Sequence, residues 1–174
     1  MRKATDLFVQ TLQRLGERYD DLQALVVGAR FSQKAETVEF EADLRASVER
    51  EGLAGRVHFL GWRDDVPSIL RDLDLLVHPA RQEPLGRVLL EASALEIPCV
   101  ATEVGGNPEI IDHERTGWLV PPDDPDALAE RVARALDRPD IRRRAGREAR
   151  RKVERKFSGE ACARRIEEVY RGLL

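Results

Sequence analysis

Apolar residues recur along the chain in two alternating patterns, one typical of helices and one typical of short buried strands. Strands are predicted over residues 22–27, 57–60, 73–77, 99–102 and 118–120. Helices are predicted over residues 5–18, 38–51, 66–70, 87–95 and 108–111, and from about Pro125, Pro139 and Ser158 onward. The first strand, which ends at Gly28, is expected to be buried on both faces. Regular alternation with short joints predicts a parallel sheet wrapped by helices, followed by extra C-terminal helices.

Two local signals sharpen this prediction. Asp124 before Pro125 is a well-formed helix start, because the carboxylate can cap free amides and proline is tolerated at the first helical position. Asp123 beside it is also expected to serve in capping. Gly105 and Gly106 predict a flexible turn. With 174 residues and no internal repeat, residues 1–174 are expected to form one domain.

Composition excludes several classes of protein. No apolar run approaches the roughly 20 residues that span a bilayer, and no secretory signal stands at the N-terminus, so a cytoplasmic protein is expected. The net charge of −3 does not indicate a nucleic-acid-binding surface. Cys99 and Cys162 lack metal-ligand spacing and are expected to be small buried apolar groups; no metal site is predicted.

The basic run from Arg142 to Lys156 has an apolar stripe at every fourth position. The stripe consists of Ile141, Ala145, Ala149 and Val153. We expect it to pack inward and the arginines to form a solvated face. Attraction of this face to an anionic membrane surface is a weaker alternative.

One loop carries the chemistry that a ligand would need. Ligands of open parallel sheets bind beyond the carboxyl ends of the strands, and residues 78–87 follow such an end. Glu83 lies on the loop, Gly86 allows a close approach of backbone, and the following helix presents free amides that favour an anion. Glu91 lies just over one turn into that helix. Carboxylates on both sides of an anion-binding helix end suit a nucleotide sugar, which presents hydroxyls on both sides of a diphosphate.

Five segments together resemble the C-terminal signature of the group 1 retaining glycosyltransferases of the B fold. They are Glu83-Pro84-Leu85-Gly86, Leu90-Glu91-Ala92, residues 97–102, residues 105–111 and residues 116–120. Residues 25–28 and 57–61 are also similar to that family. The resemblance covers nearly the whole chain. It implies an α/β, three-layer Rossmann-like domain with a parallel sheet of about six strands.

The resemblance also implies a role for each matching residue. Glu83 would contact hydroxyls of the donor sugar, and Glu91 the ribose hydroxyls. Lys3 would neutralise the diphosphate and help the nucleotide to leave. The backbone of Leu85, Gly86 and Arg87 would approach the sugar and diphosphate, the turn of Gly61, Trp62 and Arg63 would border the base, and Gly105 and Gly106 would approach sugar or phosphate. The family often has glycine at the positions of Ala4 and Glu96.

The expected function is therefore the donor-binding half of a glycosyltransferase, with a nucleotide-diphosphate sugar as substrate and no cofactor. Transfer would retain the anomeric configuration and require no metal. An N-terminal acceptor domain would lie outside residues 1–174, so the chain alone is expected not to turn over, and surface left open by that domain is expected to be apolar. Two alternatives stay open: a stand-alone or engineered nucleotide-binding domain without catalysis, and half of a sugar-nucleotide epimerase.

Overall fold

In the computed structural model, which describes residues 2–30 and 32–173, helices and strands alternate up to the last three helices, which follow one another directly. The helices are α1 (Thr5–Gly16), α2 (Ala35–Arg50), α3 (Val66–Arg71), α4 (Arg87–Ala94), α5 (Asn107–Ile110), α6 (Pro125–Asp137), α7 (Pro139–Phe157) and α8 (Gly159–Arg171). The strands are β1 (Ala24–Val27), β2 (Val57–Gly61), β3 (Leu76–His78), β4 (Cys99–Thr102) and β5 (Trp118–Val120). Within the described residues, no helix is both long and apolar enough to cross a bilayer.

All strand pairs are parallel, but they form two sheets. The order is β1-β2 in one sheet and β3-β4-β5 in the other. The expectation of about six strands in a single sheet is therefore wrong for the described residues, because no ladder joins β1 to β3. The α/β class and the parallel pairing are confirmed.

Two strands were predicted to begin earlier than they do: β1 begins at Ala24 and not at residue 22, and β3 begins at Leu76 and not at residue 73. Leu73 was expected to open the third strand, but its amide donates to the carbonyl of Leu70, so the turn that ends α3 continues through it. The expectation that the first strand is buried on both faces is also wrong, since Val27 is 40% exposed. β1 pairs with β2 on one side only and has no second neighbouring strand among the described residues.

Helix α1 joins the two sheets into one body. Its face with Leu7 and Leu15 packs in the cluster that includes β4 and β5. Its face with Val9 and Leu12 packs in the cluster that includes β1 and β2. A further cluster joins β4 to α3, α4 and α5. Because α1 is buried on two sides, more of its surface is buried than the single apolar stripe in the sequence predicts.

The C-terminal helices follow their predicted pattern. Asp124 caps α6 by accepting from the amide of Ala127 at 2.8 Å, which confirms the predicted helix start. Ala145, Ala149 and Val153 of α7 are buried, as the four-residue repeat predicts. Lys152 is also buried and donates to Asp112 at 2.8 Å. Lys152 belongs to the basic run that was predicted to be solvated, and the ion pair with Asp112 compensates for the burial of its charge.

The two cysteines differ in their surroundings. Cys99 is buried in β4, and burial raises the pKa of its thiol to about 12. Cys162 is exposed on α8, so the expectation that it is buried is wrong. Ala161 is the buried residue of that helix, and the neighbouring position 162 turns toward solvent.

Candidate functional site

Glu83 lies in the loop between β3 and α4 and is held by three donors. Its Oε1 accepts from the amide of Gly86 at 3.0 Å. Its Oε2 accepts from Nε2 of His78 at 3.0 Å and from Nζ of Lys3. The residue is only 9% exposed. Lys3 and Glu83, 80 positions apart in sequence, are thereby brought together at the carboxyl end of β3.

The charges of this cluster follow from its burial and hydrogen bonds. Burial opposes ionisation of Glu83, but hydrogen bonds from Lys3 and the Gly86 amide outweigh it, so the pKa of Glu83 lies below its usual value. Burial also lowers the pKa of His78, despite the attraction of Glu83. His78 is therefore neutral at pH 7 and donates through Nε2–H to an ionised carboxylate.

Gly86 opens α4 in a conformation that favours glycine. Its φ is 85°, and an added Cβ would lie 2.8 Å from Oδ1 of Asn107. Its amide donates a hydrogen bond to the carboxylate of Glu83. The next amides, those of Arg87 and Val88, have no carbonyl one helical turn earlier and are available to an anion. The predicted anion-binding character of this helix start is thus consistent with the geometry of the loop.

Gly105 and Gly106 form a packed support for the loop, so the expectation of a flexible turn is wrong. An added Cβ at Gly105 would lie 1.9 Å from the carbonyl oxygen of Glu83. The amide of Gly106 donates to that same carbonyl at 3.0 Å. Glycine is needed here because two backbones touch. Contact of these glycines with sugar or phosphate stays a prediction.

Glu91 differs from Glu83 in its surroundings. Its side chain is 47% exposed and lies 3.9 Å from the guanidinium of Arg87, which is 84% exposed. Leu85, on the loop, is also exposed. The carboxylate of Glu83, before Gly86, is therefore buried and hydrogen-bonded. The carboxylate of Glu91 and the guanidinium of Arg87, after Gly86, are exposed to solvent.

The turn predicted to border the base follows β2 and belongs to the other sheet. Gly61 has a φ of 66°, and Trp62 is 69% exposed. Arg63 forms two hydrogen bonds to Asp65, at 2.8 and 2.6 Å. This turn and the Glu83 loop both lie at carboxyl ends of parallel strands, which is the edge where such folds bind ligands.

Arg81 is a structural member of the loop that the sequence pattern did not indicate. Its guanidinium donates to both oxygens of Asp6, at 2.9 and 2.8 Å, and also to Asp123. These hydrogen bonds raise the pKa of Arg81. They tie the loop to α1 and to the segment before α6. Asp123, expected to serve in helix capping, is instead a partner of Arg81.

The sequence pattern also did not indicate that His78 contacts Glu83. Its position directly after the predicted strand of residues 73–77, five residues before Glu83, is the signal that could have indicated it. No comparable local signal exists for Arg81, because its partners Asp6 and Asp123 are 75 and 42 positions away.

A surface cavity of about 260 Å³ lies away from this loop. It is lined by His113, Leu119, Val120, Pro121, Ala127, Glu130, Arg131 and Arg134. None of the predicted site residues lines it. The candidate site at the Glu83 loop therefore does not coincide with this cavity.

The chain matches proteins of known family over almost its full length. It is 34% identical over 175 residues to a lipopolysaccharide core biosynthesis mannosyltransferase, LpsB, of Rhizobium meliloti, covering 99% of this chain and 49% of that protein. Its fold is similar to that of Alr3699/HepE of Anabaena, solved in complex with UDP. The TM-score is 0.88 at 26% identity, with 98% of this chain and 45% of that chain covered. The chain thus spans about half the length of these relatives.

A further solved structure is itself one domain. The C-terminal domain of a group 1 family glycosyl transferase, LpcC, from Francisella tularensis matches with a TM-score of 0.83 at 26% identity. The match covers 91% of this chain and 81% of that domain. The family model described as glycosyl transferases group 1 matches residues 1–152. The chain therefore belongs to the group 1 glycosyl transferases.

Proposed function

We propose that this chain is the donor-binding half of a retaining glycosyltransferase and that it binds a nucleotide-diphosphate sugar at the carboxyl ends of β2 and β3. The observation that carries the proposal is the convergence of Lys3 and Glu83 beside the amide-lined start of α4. A cation, a carboxylate and free helix amides at one edge suit a ligand with a diphosphate and hydroxyls. The solved structure of Alr3699/HepE in complex with UDP supports a nucleotide diphosphate as part of the ligand.

Under this proposal, the start of α4 and the residues around it would each contact a different part of the ligand. The amides after Gly86 and the side chain of Arg87 would meet the diphosphate. Glu91, open to solvent one turn later, would accept hydrogen bonds from ribose hydroxyls. The exposed Trp62 at the end of β2 offers a flat apolar surface for a base.

Lys3 and Glu83 would act on the sugar and its leaving group. A diphosphate develops negative charge as the bond to the sugar breaks, so a nearby ammonium group lowers the barrier. Glu83 holds Lys3 at the site and remains ionised because its pKa is low. One Oε1 lone pair beyond that used by Gly86 would accept from a sugar hydroxyl.

The chain alone would bind the donor without transferring the sugar. Transfer requires an acceptor held at reacting distance and a site from which water is excluded. Leu85 of the Glu83 loop and Trp62 at the end of β2 are both exposed to solvent. A facing acceptor domain would supply both requirements, and the chain's share of about half of its relatives supports a two-domain whole.

Nucleotide titration tests the proposal. UDP, GDP and ADP are titrated in turn into the chain by calorimetry, and at least one should bind. Glu91→Ala should weaken that binding roughly tenfold, because a charged hydrogen bond contributes about 1.5 kcal/mol or more. Glu160→Ala is the matched control, since it removes an exposed carboxylate from α8, and it should leave the affinity unchanged.

Two results would contradict the proposal. One is the failure of all three nucleotides to bind to the folded chain. The other is binding that Glu91→Ala and Glu160→Ala affect equally, which would place the nucleotide elsewhere. Binding that stays without transfer when an acceptor domain is supplied would favour the alternative of a binding domain without catalysis.

A further inference from the structure

Arg81 contacts the chain on both sides of Lys3. Its backbone amide donates to the carbonyl of Arg2 at 2.8 Å. Its guanidinium donates to both carboxylate oxygens of Asp6, at 2.9 and 2.8 Å. Lys3 lies between these two contacts, and its own side chain pairs with Glu83 of the same loop. The segment around Lys3 is therefore attached to this loop at three points.

The Lys3 side chain has considerable freedom of its own. It is 66% exposed, so packing restrains it weakly, and its ammonium group ends a flexible stem of four carbons. The backbone beside it has an unusual conformation, because Ala4 has a φ of 51°, and an alanine cannot cap the start of α1 with its side chain. The position of the Lys3 ammonium therefore depends on how firmly the surrounding backbone is held.

The contact between Arg81 and Asp6 is strong and directional. Two parallel hydrogen bonds between a guanidinium and a carboxylate fix orientation as well as distance, which a lysine in place of the arginine would not do. Burial opposes ionisation of Asp6, but the hydrogen bonds and the charge of Arg81 outweigh it, so the pKa of Asp6 lies below its usual value. Asp6 is therefore ionised at pH 7, and Arg81 engages both of its oxygens.

Arg81 also compensates for negative charge beside Lys3. Its guanidinium donates to Asp123 as well as to Asp6. Without that guanidinium, Asp6 would be a second carboxylate only three positions from Lys3, and opposite charges attract strongly where burial reduces screening. Lys3 could then pair with Asp6 instead of with Glu83. Arg81 thus favours the pairing of Lys3 with Glu83 both by contact and by charge.

We propose that Arg81 is a positioning residue of the donor site. It clamps the segment around Lys3 to the Glu83 loop and thereby holds the Lys3 ammonium where the diphosphate of the donor would lie. The inference rests on the proposed function and adds a residue that acts on the nucleotide through Lys3. The contribution of Lys3 to binding should therefore depend on Arg81, whereas a residue that only stabilises the fold would act independently of Lys3.

A double-mutant cycle read by nucleotide titration is the first test. The tightest binder among UDP, GDP and ADP is titrated by calorimetry into the parent chain, Lys3→Ala, Arg81→Lys and the double variant. Arg81→Lys keeps the charge but loses the paired hydrogen bonds, and it should weaken binding about fivefold. Lys3→Ala should weaken binding about tenfold in the parent chain and less than about twofold in the Arg81→Lys chain. Two effects that simply multiply would overturn the proposal.

Two further variants separate positioning from general stability. Asp6→Asn removes the charge of the partner of Arg81 with little change of shape, so it should also suppress the effect of Lys3→Ala, and it serves if Arg81→Lys does not fold. Arg14→Lys is the matched control, because Arg14 ties the last turn of α1 to Asp126 of α6. Lys3→Ala should keep its full effect in that chain. A reduced effect there would mean that any loosening of α1 suffices and would overturn a specific role of Arg81.

Amine reactivity is the second test and needs no nucleotide. Each chain is treated with a limiting amount of acetic anhydride, and mass spectrometry of the peptides gives the acetylation of Lys3 relative to that of Lys34, which is exposed. An amine in an ion pair reacts slowly, because it must leave its partner and lose a proton before it is a nucleophile. Arg81→Lys should raise the ratio about threefold or more, and Arg14→Lys should leave it unchanged.

The two tests distinguish failure of this inference from failure of the proposed function. If no nucleotide binds to the folded parent chain, the donor site and the role of Arg81 in it are overturned together. If Glu91→Ala weakens binding, the donor site stands. In that case, multiplied effects of Lys3→Ala and Arg81→Lys, or an unchanged reactivity of Lys3 in the Arg81→Lys chain, would overturn the role of Arg81 alone.

Discussion

Two residues with a Cβ adopt a left-handed backbone at positions where the family resemblance implies glycine. Ala4 has a φ of 51° and Glu96 has a φ of 63°. Glu96 forms the turn between α4 and β4, and its carbonyl faces Gly146 of α7, where an added Cβ would approach to 1.9 Å. The turn predicted before Pro98 thus forms with glutamate. A left-handed backbone costs about 1–2 kcal/mol at a residue with a Cβ.

Replacement of Glu96 by glycine should therefore stabilise the chain. The expected gain in the free energy of unfolding is about 1 kcal/mol, after the greater freedom of glycine in the unfolded chain is subtracted. Urea unfolding measures it. Glu96→Ala is the control, because it removes the weak contact with Arg150 at 3.5 Å and keeps the Cβ. Equal stability of the glycine and alanine variants would show that the turn is not strained.

At the scale of elements, the site depends on two loops packed backbone to backbone. The Glu83 loop rests on the Gly105-Gly106 turn, and Asn107 behind that turn donates to the carbonyl of Thr102 at 2.9 Å. The hydroxyl of Thr102 in turn donates to the carbonyl of Ala80. These contacts connect the ends of β3 and β4. The loop position that holds Glu83 is therefore set by its neighbour as much as by its own residues.

Gly105→Ala should disturb both the fold and the site. The new Cβ would meet the Glu83 carbonyl at 1.9 Å, so the loop must move. The expected cost is about 2 kcal/mol or more in the free energy of unfolding, together with weaker nucleotide binding. Gly159→Ala is the matched control, since a Cβ there meets nothing within 4 Å. If both variants bind and unfold like the parent chain, the packed-loop description is incorrect.

At the scale of the whole molecule, helix α8 leaves an apolar face open. Ile166, Val169, Tyr170 and Leu173 are each more than half exposed, and the helix packs mainly against α7. The first three follow helical spacing and lie on one face. Together with Leu85 and Trp62 at the strand ends, they agree with the expectation that apolar surface is left uncovered.

This face should make the chain self-associate. Sedimentation velocity is expected to show a weight-average mass that rises with protein concentration, because association buries the α8 residues. Val169→Lys combined with Ile166→Lys should abolish the rise. Glu167→Lys, a change to the same residue at an exposed polar position of α8, should leave the association in place. A clean monomer at every concentration would contradict the prediction.

The sequence alone predicted what depends on near neighbours and on motif order. Helix and strand positions, the cap at Asp124 and the buried stripe of α7 depend on residues a few positions apart, and the group 1 signature depends on motifs in order along the chain. The tertiary structure decided what depends on distant segments. It joined Lys3 and His78 to Glu83, tied Arg81 to Asp6 and Asp123, turned the Gly105-Gly106 turn into a support, and divided the strands between two sheets. Such contacts form between surfaces that packing brings together, and no local pattern encodes them.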